Sequence, residues 1–142
     1  MPLLGQALRQ PRRQGEKAGH PCKQYRFALP YSISMNQESF SMSHLHLKNT
    51  ADRLPHFWQS AIVGHAGNSN IKVLKMDGQA YPAETHDYAE ALVVIEGKMF
   101  LSVHDEPVVV AGGEMVLVPP GVPHAVAEGS HGTLMIIDPA GC

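Results

Sequence analysis

The sequence predicts an all-β domain, either a sandwich or a barrel, and three observations lead to this prediction. Short segments rich in apolar and β-branched residues recur at spacings of roughly 8–12 residues, with Gly, Pro, Asn and Asp between them. Beyond residue 57, no long segment has the period of an amphipathic helix. The continuous apolar run at 91–95 is typical of a strand that is buried on both faces.

The elements follow in chain order from the expected start of the fold near Met42. A helical turn capped by Thr50 comes first, and it ends before Pro55 because proline disfavours helix in the residue before it. Turn signals follow at Asp77-Gly78 and at Glu96-Gly97, where a hairpin is expected. The predicted strands are 57–63, 71–76, 83–86, 90–95, 99–103, 108–110, 114–118, 124–127 and 133–137.

The first 41 residues differ in kind from the rest of the chain. Residues 1–40 contain four prolines, and their six Lys and Arg against two acids give a net charge of +4. They show no sustained period of 2 or 3.6, so they cannot bury enough apolar surface to offset the entropy of ordering. We expect either a disordered extension at 1–41 or an over-extended reading frame, with the barrel domain at 42–142.

The composition of the chain limits which binding partners and which cellular compartment are expected. Residues 41–142 carry five Lys and Arg against eleven acids, a net charge of −6, which disfavours a nucleic-acid groove. No apolar run approaches the roughly 18 residues of a membrane span, and no secretory signal is visible. Cys22 and Cys142 alone form no disulfide framework. A cytoplasmic protein with a small-molecule ligand, and without nucleic-acid or membrane partners, is expected.

Two stretches of the chain supply side chains that bind divalent metals: Glu84, His86, Glu90 and His124. Residues i and i+2 of a strand share a face about 6–7 Å apart, so Glu84 and His86 point the same way. A straight strand would carry Glu90 about 13 Å past His86, so the chain must bend at 87–89 for Glu90 to join them. His124 must then arrive from a non-adjacent strand.

The spacing in these stretches resembles the two motifs of the cupin superfamily. The first family motif is Gly-x5-His-x-His-x3-Glu-x6-Gly, and here the sequence is Gly78-x5-Glu84-x-His86-x3-Glu90-x6-Gly97. The resemblance implies a double-stranded β-helix, or jelly roll, with a metal held inside its open end by Glu84, His86, Glu90 and His124.

The second family motif is Gly-x5-Pro-x-Gly-x2-His-x3-Asn. The sequence here is Gly113-x5-Pro119-x-Gly121-x2-His124-x3-Glu128. All spacings of both motifs agree, over residues 78–128. Family members include isomerases, lyases, oxygenases, storage proteins and sensor domains, so the resemblance alone does not select an activity.

Two positions depart from the family pattern, because Glu84 replaces the first histidine and Glu128 replaces the asparagine. Two carboxylates cancel the charge of a dication, which weakens its acidifying effect on bound water. A carboxylate in place of an imidazole also favours harder ions, so Mn²⁺ or Fe²⁺ is expected, with Zn²⁺ or Ni²⁺ as alternatives. Loss of the metal is a further alternative.

Three functions are compatible with these residues. The first is a metal-dependent isomerase, lyase or oxygenase that acts on a small oxygenated metabolite, with Glu128 or Tyr88 moving a proton. The second is a non-catalytic ligand-binding or sensing module, and the third is a metal-free structural barrel. Glu128 is alternatively only part of the Glu-Gly-Ser turn. A homodimer is expected from the resemblance and from strands such as 57–63 that can pair across a two-fold axis.

Overall fold

The computed structural model describes residues 42–141, which form one short helix and eight strands. The expected N-terminal extension at 1–41 lies outside the described residues. The elements are α1 (Leu47–Asp52), β1 (Ala61–Ala66), β2 (Ser69–Asp77), β3 (Tyr81–Glu84), β4 (Glu90–Val103), β5 (Glu106–Ala111), β6 (Met115–Val118), β7 (His124–Val126) and β8 (His131–Pro139).

The strands form one curled antiparallel sheet in the order β1-β2-β8-β4-β7-β3, with β5 and β6 also paired to β4. The 14-residue β4 organises the sheet. Its first half pairs with β6 and β8, and its second half pairs with β5 and β7. One long strand with different partners along its length bends the sheet around a single interior, which confirms the all-β prediction.

The inside and the outside of the curled sheet carry separate apolar clusters. The interior cluster draws on five strands and comprises Leu74, Met76, Leu92, Val94, Met99, Leu101, Val110, Val118 and Leu134. The outer cluster lies under α1, where Ala51 packs with Leu54, Ala61 and Val73. Because β2 is covered on both faces, Val73 and Leu74 are both buried. No helix among residues 42–141 is long and apolar enough to cross a membrane.

The hairpin predicted at Glu96-Gly97 is wrong, because β4 continues through both residues. Gly97 has a φ of +89° and lies opposite Gly132 of β8. A Cβ atom at Gly97 would lie 2.1 Å from the carbonyl oxygen of His131. The glycine therefore allows close approach of two backbones in a distorted ladder and does not reverse the chain.

The first predicted elements are displaced along the chain. The strand expected at 57–63 begins at Ala61, and Trp58 precedes it with a φ of +57°. The helical turn expected after Thr50 begins at Leu47, where Nδ1 of His46 accepts a hydrogen bond from the amide of Asn49 at 3.3 Å. A histidine cap is a weak sequence signal, since Ser, Thr, Asp and Asn are the usual residues there.

Candidate metal centre

Glu84 and His124 meet because of the pairing between β3 and β7. Glu84 is the last residue of β3, His124 is the first residue of β7, and the two are direct partners in the ladder. Directly opposed residues have Cβ atoms about 5 Å apart, so their side chains share a face at one end of the barrel.

The segment between β3 and β4 brings two further ligand candidates to the same end. A bend at Asp87 and Tyr88 separates the two strands, as the sequence argument required. The carbonyl oxygen of His86 accepts a hydrogen bond from the amide of Gly121 at 2.7 Å. This bond ties the His86 segment to the loop that precedes His124. Glu90 then begins β4 and points into the interior.

All four predicted ligands are close together. The candidate donor atoms of Glu84, His86 and His124 lie within 4.8 Å of one another. Nε2 of His86 is 3.6 Å from Oε2 of Glu84 and 3.8 Å from Oε2 of Glu90. The same oxygen of Glu90 is 3.2 Å from Nε2 of His124. The first three residues form the compact group, and Glu90 adjoins both imidazoles.

The candidate ligands differ in how deeply their side chains are buried. Glu90 and His124 are buried, whereas the side chain of Glu84 is 42% exposed at the mouth. Nδ1 of His124 lies 3.2 Å from the carbonyl oxygen of Val122, which can only accept a hydrogen bond. A proton on Nδ1 would satisfy this contact and leave Nε2, which faces Oε2 of Glu90, as the nitrogen that can bind a metal. Burial raises the pKa of Glu90, while His86 and His124 act in the opposite direction.

The donor set fits a divalent metal. Ligand atoms bound to one ion at 2.0–2.2 Å are roughly 3–4 Å apart, so the contacts of 3.2–3.8 Å need little adjustment. A buried carboxylate is costly without a cation, and Glu90 contacts the imidazoles of His86 and His124. Carboxylate oxygens and imidazole nitrogens together are typical ligands of Mn²⁺, Fe²⁺ and Zn²⁺.

The model of the cupin domain family matches residues 73–138, a range that holds all four residues. Residues 73–138 are therefore a domain of the cupin superfamily. Solved cupin structures share its fold, so the all-β barrel is the double-stranded β-helix expected from the motifs. Among curated proteins, none matches the sequence significantly.

Three solved structures illustrate the likeness of this cupin to known folds. A cupin-2 domain protein from Shewanella frigidimarina aligns with 67% of this chain and 93% of its own, at 22% identity and a TM-score of 0.62. A protein from Neisseria meningitidis aligns with 69% of this chain and 100% of its own, at 24% identity and a TM-score of 0.60. A candidate mannose-6-phosphate isomerase from Ralstonia eutropha aligns with 70% of this chain and 99% of its own, at 18% identity and a TM-score of 0.60.

The two predicted proton-transfer residues of this cupin occupy different places. The ring of Tyr88 stacks on that of His86, with centroids 4.8 Å apart and planes 6° apart. Burial, reinforced by the nearby Glu90 carboxylate, raises the pKa of Tyr88 to about 12, so its phenol stays protonated at neutral pH. Glu128 is exposed in the turn after β7, four residues beyond His124. The structure therefore brings Tyr88 to the site and leaves Glu128 in the turn.

Sequence reasoning missed a polar group on the neighbouring strands. Asn70 and Lys72 of β2 both hydrogen-bond the carboxylate of Asp138 on β8. Asn70 and Asp138 are only 1% and 4% exposed. The sequence did contain a signal, since every second residue of β2 shares one face, namely Asn70, Lys72, Leu74 and Met76. The alternation was obscured because the opposite face of β2 also carries apolar residues, which α1 covers.

Proposed function

We propose that this cupin is a metal-dependent enzyme acting on a small oxygenated metabolite, with a divalent ion such as Mn²⁺ or Fe²⁺. The observation that carries the proposal is the convergence of Glu84, His86 and His124 within 4.8 Å, beside the buried Glu90. Likeness to a candidate isomerase at 18% identity concerns the fold alone, so the proposal depends on these residues.

The chain itself performs three tasks in this proposal. Glu84, His86, Glu90 and His124 hold the ion, which supplies Lewis acidity toward a substrate oxygen. The curled sheet keeps bulk water from the buried side of the site, where Leu92 and Val118 begin the apolar core. The ring of Tyr88 stacks on that of His86, and in this proposal its protonated phenol shares a hydrogen bond with a substrate oxygen.

Metal content tests this proposal directly. The protein is purified without chelators, its metals are measured by elemental mass spectrometry, and Mn²⁺ affinity is measured by calorimetry. We expect close to one divalent ion per chain in the parent. Removal of a ligand in Glu84→Ala or His86→Ala should weaken Mn²⁺ binding by about tenfold or more.

A matched control is His56→Ala, because His56 is exposed in the turn before β1 and lies outside the group. This variant should bind Mn²⁺ like the parent. A parent that contains no metal and does not bind Mn²⁺ would refute the enzyme as proposed and leave the metal-free structural barrel.

A non-catalytic ligand-binding cupin is the second candidate. The observation that favours it is the pair of carboxylates, Glu84 and Glu90, which cancels the charge of a dication and weakens its Lewis acidity. Metal content does not separate the two candidates. To separate them, the Mn²⁺-loaded protein is incubated with panels of sugar phosphates and hydroxy acids, and the products are analysed. Turnover that His86→Ala abolishes favours the enzyme.

A further inference from the structure

We propose that Lys72 binds a carboxylate of the small molecule whose other oxygens lie at the metal group, which makes the ligand class a hydroxy acid with a second carboxylate. This inference rests on the proposed function. It starts from the polar group formed by Asn70, Lys72 and Asp138. These three residues lie outside the two family motifs and are not among the four candidate metal ligands.

Strand register places this polar group inside the barrel at the metal end. Asn70 pairs with Asp138, and Ala91 pairs with Ile137, so Asp138 lies one step along β8 beside Glu90 of β4. Side chains alternate along a strand, and the buried Leu92 and Leu134 fix which face is interior. The Asp138 carboxylate also contributes to the raised pKa of Glu90, as expected from proximity.

Lys72 faces the same interior. It pairs with Ile136 in the ladder and shares its face with Leu74 of the core. Its side chain is only 14% exposed, and its ammonium contacts Oδ2 of Asp138. The other oxygen of Asp138 accepts a hydrogen bond from Nδ2 of Asn70 at 3.1 Å. Both oxygens of the carboxylate are therefore occupied by donors from β2, which fixes its position.

The ammonium of Lys72 has donor capacity left over. A lysine ammonium offers three protons, and the contact with Asp138 uses one of them. Within residues 42–141, Asp138 is the only hydrogen-bond partner of the Lys72 side chain. Asp138 thus holds a positively charged donor in a partly desolvated position, where an acceptor oxygen of a ligand gains more than it would in water.

The charges at this end of the barrel would balance once a divalent ion is bound. When ionised, Glu84, Glu90 and Asp138 carry three negative charges and Lys72 carries one positive charge. A divalent ion would bring the total to zero, with positive charge concentrated at two points, the ion and the ammonium. A molecule that chelates the ion through a hydroxyl and a carboxylate, and carries a second carboxylate for Lys72, complements both points.

Malate and lactate provide the test, because both offer the same 2-hydroxycarboxylate and malate adds one carboxylate. Their affinities for the Mn²⁺-loaded protein are measured by calorimetry, in the parent and in Lys72→Gln. We expect the parent to bind malate about tenfold or more tightly than lactate, as for a hydrogen bond to a charged group. Lys72→Gln should remove this preference while Mn²⁺ affinity stays close to that of the parent.

Lys98→Gln is the matched control, since it removes the same charge from an exposed position on β4. It should keep the preference for malate. Equal binding of malate and lactate by the parent, or a preference that survives in Lys72→Gln, overturns the proposal. If Lys72→Gln fails to fold, the double variant Lys72→Gln, Asp138→Asn removes both charges of the pair and takes its place.

The same titrations without Mn²⁺ separate this inference from the proposed function. A parent that does not bind Mn²⁺ refutes the metal-dependent enzyme, while a preference for malate that depends on Lys72 still supports the carboxylate site. A parent that binds Mn²⁺ but shows no preference, with or without the ion, keeps the enzyme and overturns the role of Lys72.

Discussion

At the scale of single residues, Glu84 sets this cupin apart from the family motif, which has a histidine at its position. Glu84 is the ladder partner of His124, and its Oε2 is 3.6 Å from Nε2 of His86, so it belongs to the compact group despite its change of chemistry. A carboxylate adds charge and hardness, whereas an imidazole adds neither. The substitution should therefore be visible in metal selectivity.

Glu84→His should shift metal preference toward softer ions. Relative to the parent, we expect affinity for Ni²⁺ to rise against affinity for Mn²⁺ by about tenfold, because imidazole suits Ni²⁺ better than Mn²⁺. Calorimetric titration of the two ions measures the ratio. Glu114→His is the control, since Glu114 is exposed in the turn between β5 and β6. An unchanged ratio in Glu84→His would mean that position 84 does not bind the metal.

Trp58 and Asp77 form a second informative contact, near the sheet edge. The indole Nε1 of Trp58 donates a hydrogen bond to Oδ1 of Asp77 at 2.7 Å, and its ring stacks on Tyr81. The hydrogen bond from Trp58, followed by one from the amide of Gln79, lowers the pKa of Asp77. Both donors favour the ionised carboxylate, so this contact stabilises the fold only while Asp77 is charged.

Acid should remove the stabilisation that Trp58 gives through Asp77. A depressed pKa in the folded state means that the contribution is complete above the ordinary aspartate pKa of about 3.9 and declines as pH falls through the folded value. Trp58→Phe keeps an aromatic ring for Tyr81, so its deficit in free energy of unfolding should be larger at pH 6 than at pH 3 in urea titrations. In an Asp77→Asn background, the deficit should not depend on pH; a dependence that persists would exclude Asp77 as its source.

At the scale of elements, the sequence predicted most strands and placed the four ligand candidates at one site, but it misjudged β4. The positions of β2, β5, β6, β7 and β8 follow alternating or continuous apolar runs between turn residues. Glu96-Gly97 has the composition of a turn, and only the partner strand shows why the glycine is there. Gly97 and Gly132 face each other across β4 and β8, and this long-range contact leaves no local trace in the sequence.

This close approach predicts a large cost for any side chain at Gly97 or Gly132. A Cβ atom would lie 2.1 Å from a backbone oxygen at either position, and backbone atoms cannot move aside cheaply. Gly97→Ala and Gly132→Ala should each reduce the free energy of unfolding by roughly 3 kcal/mol or more in urea titrations. Gly113→Ala is the control, since its φ of +85° is similar and nothing lies within 4 Å of the added atom.

Gly113→Ala should lose only the roughly 1–2 kcal/mol of the left-handed backbone. Equal losses in all three variants would show that backbone conformation, and not contact between β4 and β8, determines the need for glycine.

At the scale of the whole molecule, the outward face of β6 stands out. Met115 and Leu117 are 58% and 60% exposed and point the same way, opposite Val93 and Ala91 of β4. Large apolar side chains that adjoin on one face are typical of interaction surfaces. The homodimer expected from the sequence stays a prediction. The strand that was expected at 57–63 to pair across the two-fold axis begins only at Ala61, so the edge of β1 is shorter than expected at that end. The β6 face, with its two exposed apolar side chains, is the more apolar interface.

We therefore expect the protein to be a homodimer that buries the β6 face, with a mass by light scattering of twice the 15.4 kDa of one chain. Met115→Lys with Leu117→Lys places four like charges in a two-fold interface, so this double variant should be monomeric at micromolar concentration. Val109→Lys is the control, because Val109 is 56% exposed on β5. A monomeric parent would refute the dimer. A double variant that remains dimeric would exclude the β6 face and direct the search to β1, which pairs only with β2 among the described strands.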